Sequence, residues 1–379
     1  MIRPLTRQPD GGTGLNYFSR ACVKQMLVNH HNVLLKERAV LTANYVGNQT
    51  IDIREAELVP PRSGEVQIKV AYVGICGTDL HILHGKMDAR VTLPAIIGHE
   101  MSGTIAAIGD GVTRWSVGDP VTVMPLEWDG TCPACLAGNQ HICQNLNFIG
   151  IDSPGALQGY WNVAADVLVI LPESLRLDHA ALVEPVAVSV HDVRRSGLVP
   201  GEKAVVIGGG PIGVLIATTA REFGGDVVVV ELDPARRQAI ADLGFQVLDP
   251  TTVDQSAWVN EWSGGAGADV VFEVSGAAAA VLGATDLVKV RGRLVVVAIH
   301  PQPQPINLQR VFWRELSIIG ARVYERQDFD KAVELLDAGA IPAELLITRI
   351  VPLSETAEAF KALSAGQAMK ILVDCQAKG

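Results

Sequence analysis

The sequence predicts an α/β protein in two parts: a β-rich region starting near residue 39 and a doubly wound parallel sheet from about residue 200. Three observations carry this. Lys203 to Ile207, Asp226 to Glu231, Asp269 to Val274 and Arg293 to Ala298 are short, nearly continuous apolar runs separated by helical stretches. Such runs suit strands buried on both faces of a parallel sheet. Earlier in the chain, Val66, Ile68 and Val70 alternate with Gln67 and Lys69, as in half-buried strands. The composition, 48% hydrophobic and 19% charged over 379 residues, is enough for large cores.

Taken in order, residues 1–38 stand apart. They carry Asp10-Gly11-Gly12-Thr13-Gly14 and a candidate short helix around Met26 to Lys36, and the expectation there is a flexible extension, compatible with true initiation at Met26. Gly109-Asp110-Gly111 and Gly118-Asp119-Pro120 then punctuate short strands, as in a small barrel or irregular sheet. In the second part, Asp233-Pro234 reads as a helix cap with proline in the first turn, and Gly244 closes that helix. Leu316 to Gly320 reads as a strand. Phe329, Val333 and Leu336 give a further amphipathic helix, and Ser354 is expected to cap another running through Leu363.

Charge removes several function classes. Lys plus Arg is 31 and Asp plus Glu is 41, for a net charge of −10. With no long basic run, nucleic acid and anionic membranes are poor partners. No uninterrupted apolar stretch is long enough to span a bilayer. The six cysteines are too sparse for a disulfide scaffold. Three of them cluster as Cys132-Pro133-Ala134-Cys135 and Cys143, which reads as metal ligation in a reducing compartment. The N-terminus lacks a signal-type apolar segment, and a cytoplasmic location is expected.

Ala204 to Ile207 leads into Gly208-Gly209-Gly210-Pro211-Ile212-Gly213 and a helix-like run from Val214 to Phe223. Gly208 permits a tight turn, Gly210 lets backbone approach a pyrophosphate, and Gly213 lets helix and strand pack closely. Glu231 ends the next strand, where a carboxylate suits the adenosine ribose hydroxyls and repels a 2′-phosphate. This favours NAD; Arg236 and Arg237, just behind, keep NADP open.

Cys76-Gly77-Thr78-Asp79-Leu80-His81, Gly98-His99-Glu100 and Glu184-Pro185 together offer a thiolate, an imidazole and carboxylates, a donor set that suits zinc. With the Cys132 cluster, the glycine turn and Phe272-Glu273-Val274-Ser275-Gly276, the chain from about 39 onward resembles the zinc-dependent medium-chain dehydrogenase/reductase superfamily, nearest its sorbitol, butanediol and threonine 3-dehydrogenase group. The resemblance implies a GroES-like catalytic domain of residues 39–186 and 326–379 around a Rossmann domain of 187–325. It implies a catalytic zinc on Cys76, His99 and Glu100, with Glu184 in the remaining position directly or through water. It makes Asp79 the residue that orients His99, Thr78 the acceptor of the substrate hydroxyl proton, and His81 the group passing that proton on. Val274, Ala298, Ile299 and Lys370 fall at cofactor contacts.

A second, structural zinc is expected on Asp129, Cys132, Cys135 and Cys143. Asp129 stands where relatives carry a fourth cysteine, and Gly155 to Tyr160 also departs from the pattern near the substrate cleft. The function implied is hydride transfer between a secondary alcohol, a polyol or vicinal diol, and NAD, in a homodimer or homotetramer. Oxidation of L-threonine at its β-carbon is the runner-up, and a nucleotide-binding protein without catalysis is the reading from another class.

Overall fold

A computed structural model describes residues 39–377; the expectations for residues 1–38 fall outside them. The chain builds two main sheets. The first is seven-stranded and mostly antiparallel, centred on the long strand Glu65–Gly74, which pairs with Glu100–Ile108, Tyr160–Ala164 and, from far along the chain, Lys370–Asp374. Ile347–Pro352 extends it beyond Lys370–Asp374. Residues after 340 thus complete the β-rich part. A three-stranded sheet, with Ala39–Tyr45 between Ile51–Glu57 and Ala95–Ile96, lies beside it. Alternation along Glu65–Gly74 is imperfect: Gln67 is buried, its amide donating to Val59 O and Asn162 Oδ1.

The second sheet has six parallel strands. In chain order they are Lys203–Ile207, Asp226–Val230, Gln246–Leu248, Ala268–Glu273, Val288–Val296 and Ser317–Gly320, and in space they run third, second, first, fourth, fifth, sixth. The order reverses at Lys203–Ile207, and ligands of open α/β sheets bind outside the carboxyl ends of the strands at such a reversal. The apolar runs are continuous because neighbouring residues enter different cores. Ala204, Val206, Val227, Val229, Val270 and Phe272 pack with the helices Val183–Ser196 and Pro211–Glu222. Val205, Ile207, Val228, Val230 and Val271 pack instead with Val259, Ala284 and Leu287 of the opposite helical layer. Each buried aliphatic side chain contributes roughly 1.5–3 kcal/mol, so a polar residue in either set is costly.

Local signals held in part. Asp233 accepts a hydrogen bond from Arg236 N at 2.8 Å, Pro234 opens that helix, and Gly244 follows it at φ +81°. The helix after the glycine turn begins at Pro211 rather than Val214. Ser354 caps nothing: Leu353–Glu355 forms a 3₁₀ turn anchored by buried Leu353, and the α-helix starts at Thr356 without a side-chain cap.

Candidate active site

Strand Glu65–Gly74 delivers the chain to Cys76, which caps the helix Gly77–Leu83. The cap is reciprocal. The Cys76 sulfur accepts from Thr78 N at 3.5 Å, and Asp79 Oδ2 accepts from Cys76 N at 2.9 Å. Asp79 is thereby drawn inward and fully buried, while Thr78 and His81, three residues apart, share one face of the helix. Both are partly exposed. Burial, with Lys86 and His84 nearby, lowers the His81 pKa, so the ring is neutral at pH 7 and able to accept a proton.

His99 and Glu100 arrive on the segment that starts the strand Glu100–Ile108. This segment is gripped by the loop 149–157: Ala156 N donates to Gly98 O and Leu157 N to Ile97 O. A side chain at Gly150 or Gly155 would strike Gly98 O, so these two glycines let the loop lie flat against the histidine. Phe148 packs edge-on against the His99 ring at 5.2 Å. The ligand atoms of Cys76, His99 and Glu100 lie within 4.8 Å of one another.

Two buried atoms there have no hydrogen-bond partner among the described residues, His99 Nδ1 and Asp79 Oδ1, and they face each other at 3.6 Å. Burial pulls the His99 pKa down, but Asp79 and then Cys76 outweigh it and hold it well above its ordinary value. A cation serves this arrangement better than a proton. With Nδ1 turned to Asp79, Nε2 is free for a metal, and a carboxylate behind a ligating histidine is a common support. The donors fit zinc.

Glu184, in the first turn of Val183–Ser196, is buried beside this cluster without joining its mutual radius. Burial pushes its carboxyl up to about 7. Lys370, which the resemblance places at the cofactor, also pairs with Glu100. Its Nζ lies 2.8 and 2.7 Å from the two carboxylate oxygens and donates to Ile75 O at 3.2 Å. A buried ammonium requires such a counter-charge. A Cβ at Gly74 would collide with Glu100 Oε2, so that glycine makes room for the pair.

Tyr324 is a residue the motifs did not reveal. It is fully buried, its ring is edge-on to Phe329 at 4.7 Å, and its hydroxyl, facing Glu184, makes no hydrogen bond of normal geometry among the described residues. Burial, then the charges of Glu184, Cys76 and Glu100, raise its pKa. Tyr324 lies just past the carboxyl end of Ser317–Gly320, so the edge of the parallel sheet reaches the cluster. No spacing announces it; only the fold brings it in.

The carboxyl ends of the parallel strands supply the dinucleotide features. Gly208 has φ +106°, and a Cβ there would meet Ser275 at about 3.0 Å; one at Gly213 would strike Gly208 O. Glu231 Oε2 accepts from Gly209 N at 2.6 Å and Oε1 from Asp233 N at 2.8 Å. The carboxylate braces the turn and keeps lone pairs for a ribose. Arg237 pairs with Asp249 at 2.9 Å, whereas Arg236 reaches over the turn towards Gly210. Pro211 and Ile212 open the helix behind the turn. Val274 N donates to Ile207 O, Ala298 N donates to Glu273 O, and Ile299 is 74% exposed beside them. The turn, Val274, Ala298 and Ile299 therefore share one rim.

Away from this cleft, the side-chain ligand atoms of Asp129, Cys132, Cys135 and Cys143 also lie within 4.8 Å of one another. Backbone amides point at them: Cys135 N and Gln144 N donate to Cys132 Sγ, Asn145 N to Cys143 Sγ, and Thr131 N and Cys132 N to Asp129 Oδ1. Asn145 Nδ2 donates to Asp129 Oδ2 at 2.6 Å. Amides aimed at two of the three sulfurs and at the carboxylate favour the anionic forms that a cation needs, while burial pushes the Cys135 thiol up to about 12.

Comparison with known proteins agrees with this layout. Residues 62–173 match the alcohol dehydrogenase GroES-like domain and 211–338 the zinc-binding dehydrogenase domain. Over 340 residues the chain is 49% identical to a 2-dehydro-3-deoxy-L-galactonate 5-dehydrogenase of Pseudoalteromonas atlantica, covering 89% of this chain and all of that one. Over 326 residues it is 33% identical to a sorbitol dehydrogenase of Halalkalibacterium halodurans, covering 85% and 94%. Among solved structures, 2R,3R-butanediol dehydrogenase from Bacillus subtilis superposes with a TM-score of 0.82 at 32% identity, over 88% of this chain and 99% of that one.

Proposed function

Since this chain belongs to the zinc-dependent medium-chain dehydrogenase/reductase family, we propose that it moves hydride between a secondary hydroxyl of a polyol-like sugar acid and NAD. The observation that supports this best is the convergence of Cys76, His99 and Glu100 beside the carboxyl edge of the parallel sheet. The sugar-acid choice follows the 49% relative; sorbitol and butanediol oxidation by more distant relatives share the chemistry.

Zinc, when bound, supplies a Lewis acid that stabilises negative charge on the reacting oxygen. Cys76, His99 and Glu100 would hold it, with Glu184 in the remaining place directly or through water. The chain does the rest. Asp79 fixes the His99 ring through Nδ1. Thr78 Oγ1 takes the substrate hydroxyl proton, and neutral His81, on the same helix face, passes it to solvent. Lys370 pairs with both oxygens of Glu100, so that this carboxylate can exchange between ammonium and metal. Glu231 receives the adenosine ribose and disfavours a 2′-phosphate. The helix beginning at Pro211 presents its amides to the pyrophosphate, and Arg236 lies over it. Val274, Ala298 and Ile299 line the nicotinamide side. Asp129, Cys132, Cys135 and Cys143 would hold a second, structural zinc.

We assign residues 39–186 and 326–379 to the catalytic domain and 187–325 to the dinucleotide domain. The outer edge of Ser317–Gly320 is unpaired among the described residues, and nearby Phe312 and Trp313 are 74% and 72% exposed. Strand pairing between two copies would cover both, giving a dimer, or a tetramer when two dimers associate. No helix among the described residues is long and apolar enough to cross a membrane. A reducing cytoplasm would keep the Cys132 cluster free of disulfides.

The test is NAD reduction with a sugar-acid and polyol panel, before and after chelation. Activity should vanish with the metal and return with zinc. Full turnover by metal-free protein would refute the mechanism.

A further inference from the structure

Glu273 ends the strand Ala268–Glu273 and is 1% exposed. A buried carboxylate needs donors on both oxygens. One oxygen has them: Oε1 accepts from Ser275 N at 3.0 Å, Ser275 Oγ at 2.7 Å and Gly276 N at 2.9 Å. The other has none. Oε2 lacks a hydrogen-bond partner among the described residues, and it faces His300 Nε2 at 3.2 Å, itself a buried atom without one. The main chain of Glu273 reaches the same loop, since its carbonyl accepts from Val297 N at 3.0 Å and Ala298 N at 3.1 Å. A single residue thus touches two loops, 275–276 through Oε1 and 297–300 through its carbonyl and Oε2.

Both loops belong to the dinucleotide rim. A Cβ on Gly208 would meet Ser275 N at 3.0 Å, and one on Gly276 would meet Ala298 Cβ at 3.5 Å. The glycine turn stands at the end of Lys203–Ile207. On one side of that strand lies Asp226–Val230, which leads to Glu231, the acid suited to the adenosine ribose. On the other side lie Ala268–Glu273 and then Val288–Val296. A dinucleotide with its pyrophosphate on the turn and its adenosine towards Glu231 therefore extends its nicotinamide over Ala268–Glu273 and Val288–Val296. Two strand spacings of about 4.8 Å each carry it from the turn to the loop that holds His300.

Resting on the NAD reading above, we infer that His300, held by Glu273, is a positioning residue for the nicotinamide half of the cofactor. It need not touch the ring. Its Nε2–H, given to Glu273 Oε2, ties the loop carrying Ala298 and Ile299 to the loop carrying Ser275, so the rim under the ring keeps one shape. A buried carboxylate as acceptor makes such a bond stronger than a neutral one. Alanine at position 300 would leave Oε2 with no donor and the loop with its main-chain ties alone.

The experiment titrates NADH, and separately ADP-ribose, which lacks the nicotinamide, onto zinc-loaded wild type, His300→Ala and His300→Gln. In His300→Ala the affinity for NADH should fall about 10-fold. Affinity for ADP-ribose should stay within about 2-fold of wild type, which also certifies the fold. The fluorescence enhancement of bound NADH should shrink, because the ring is held less firmly. His300→Gln, whose amide can donate to the same oxygen, should recover most of the lost affinity. Unaltered NADH affinity in His300→Ala would overturn the assignment. An equal loss for NADH and ADP-ribose would make the residue merely structural and also overturn it, as would a His300→Gln protein no better than His300→Ala. Wild type binding neither molecule would instead sink the NAD reading itself.

Discussion

The two cation clusters are built from similar donors by opposite strategies. The Asp129 to Cys143 cluster comes from one short stretch, and amides of that stretch hold its donors. The Cys76, His99 and Glu100 cluster is gathered from separate strands. It borrows Glu184 from a helix, Lys370 from a strand 270 residues beyond Glu100, and Tyr324 from past the edge of the other sheet. In the local cluster, backbone amides brace Asp129, Cys132 and Cys143. The assembled one keeps unpartnered buried atoms, His99 Nδ1 and Asp79 Oδ1, and a carboxylate whose partner can change. A closed, self-sufficient set of ligands suits structure; an open set with exchangeable charge suits catalysis.

Breaking each cluster separately is the sharpest test of that contrast. His99→Ala should remove one of two zinc ions per chain and cut kcat/KM by at least about 10³-fold. Its melting temperature should stay close to wild type; a large fall would mean that the assembled cluster is structural after all. Asp129→Ala should do the converse, with zinc affinity at the lobe weakened by about 10- to 100-fold and a lower melting temperature. Residual kcat per folded molecule should stay within a few-fold of wild type. Elemental analysis finding one zinc in wild type, with Asp129→Ala unchanged in stability and zinc content, would show the lobe metal-free.

The smallest effect probes the helix that joins the two regions. His141, within the lobe, packs on His191 of Val183–Ser196 at 5.1 Å, and His191 Nδ1 is 2.9 Å from Asp328 Oδ2. Next to it, both carboxylate oxygens of buried Asp192 lack partners. Burial, then the charge of Asp328, raises its pKa well above the ordinary value. The native state therefore holds a proton that the unfolded chain releases above pH of about 4. Stability falls as pH rises from there towards the native pKa, by up to about 1.4 kcal/mol per unit. Asp192→Asn should flatten that slope and stabilise the protein at neutral pH, with zinc content and kcat unaltered. Denaturant titrations across the pH range decide it; parallel slopes would show that Asp192 is ionised in the fold.

The same contrast explains what could be read in advance. Strands of the parallel sheet were legible because both faces are buried, so their apolar runs are unbroken. The Cys132 lobe was legible because its ligands are neighbours in sequence. Cys76, His99, Glu100 and Glu184 emerged only as a set, through family resemblance, since each alone looks ordinary. The pairing of Lys370 with Glu100 could not be read in advance, because nothing local reveals that the strand Lys370–Asp374 runs beside Glu65–Gly74. His300 and Tyr324 carried no motif. Ser354 misled because a 3₁₀ turn took the place where a cap was expected.

That late strand has a bearing on biosynthesis. Lys370–Asp374 pairs directly with Glu65–Gly74, so a ribosome must translate some three hundred codons beyond Cys76 before the sheet beneath the thiol can close. Until then the nascent polypeptide displays an unpaired edge, a natural client for chaperones. A truncated product would retain the thiol, imidazole and acid yet lack the lysine that balances them, and so would be inert.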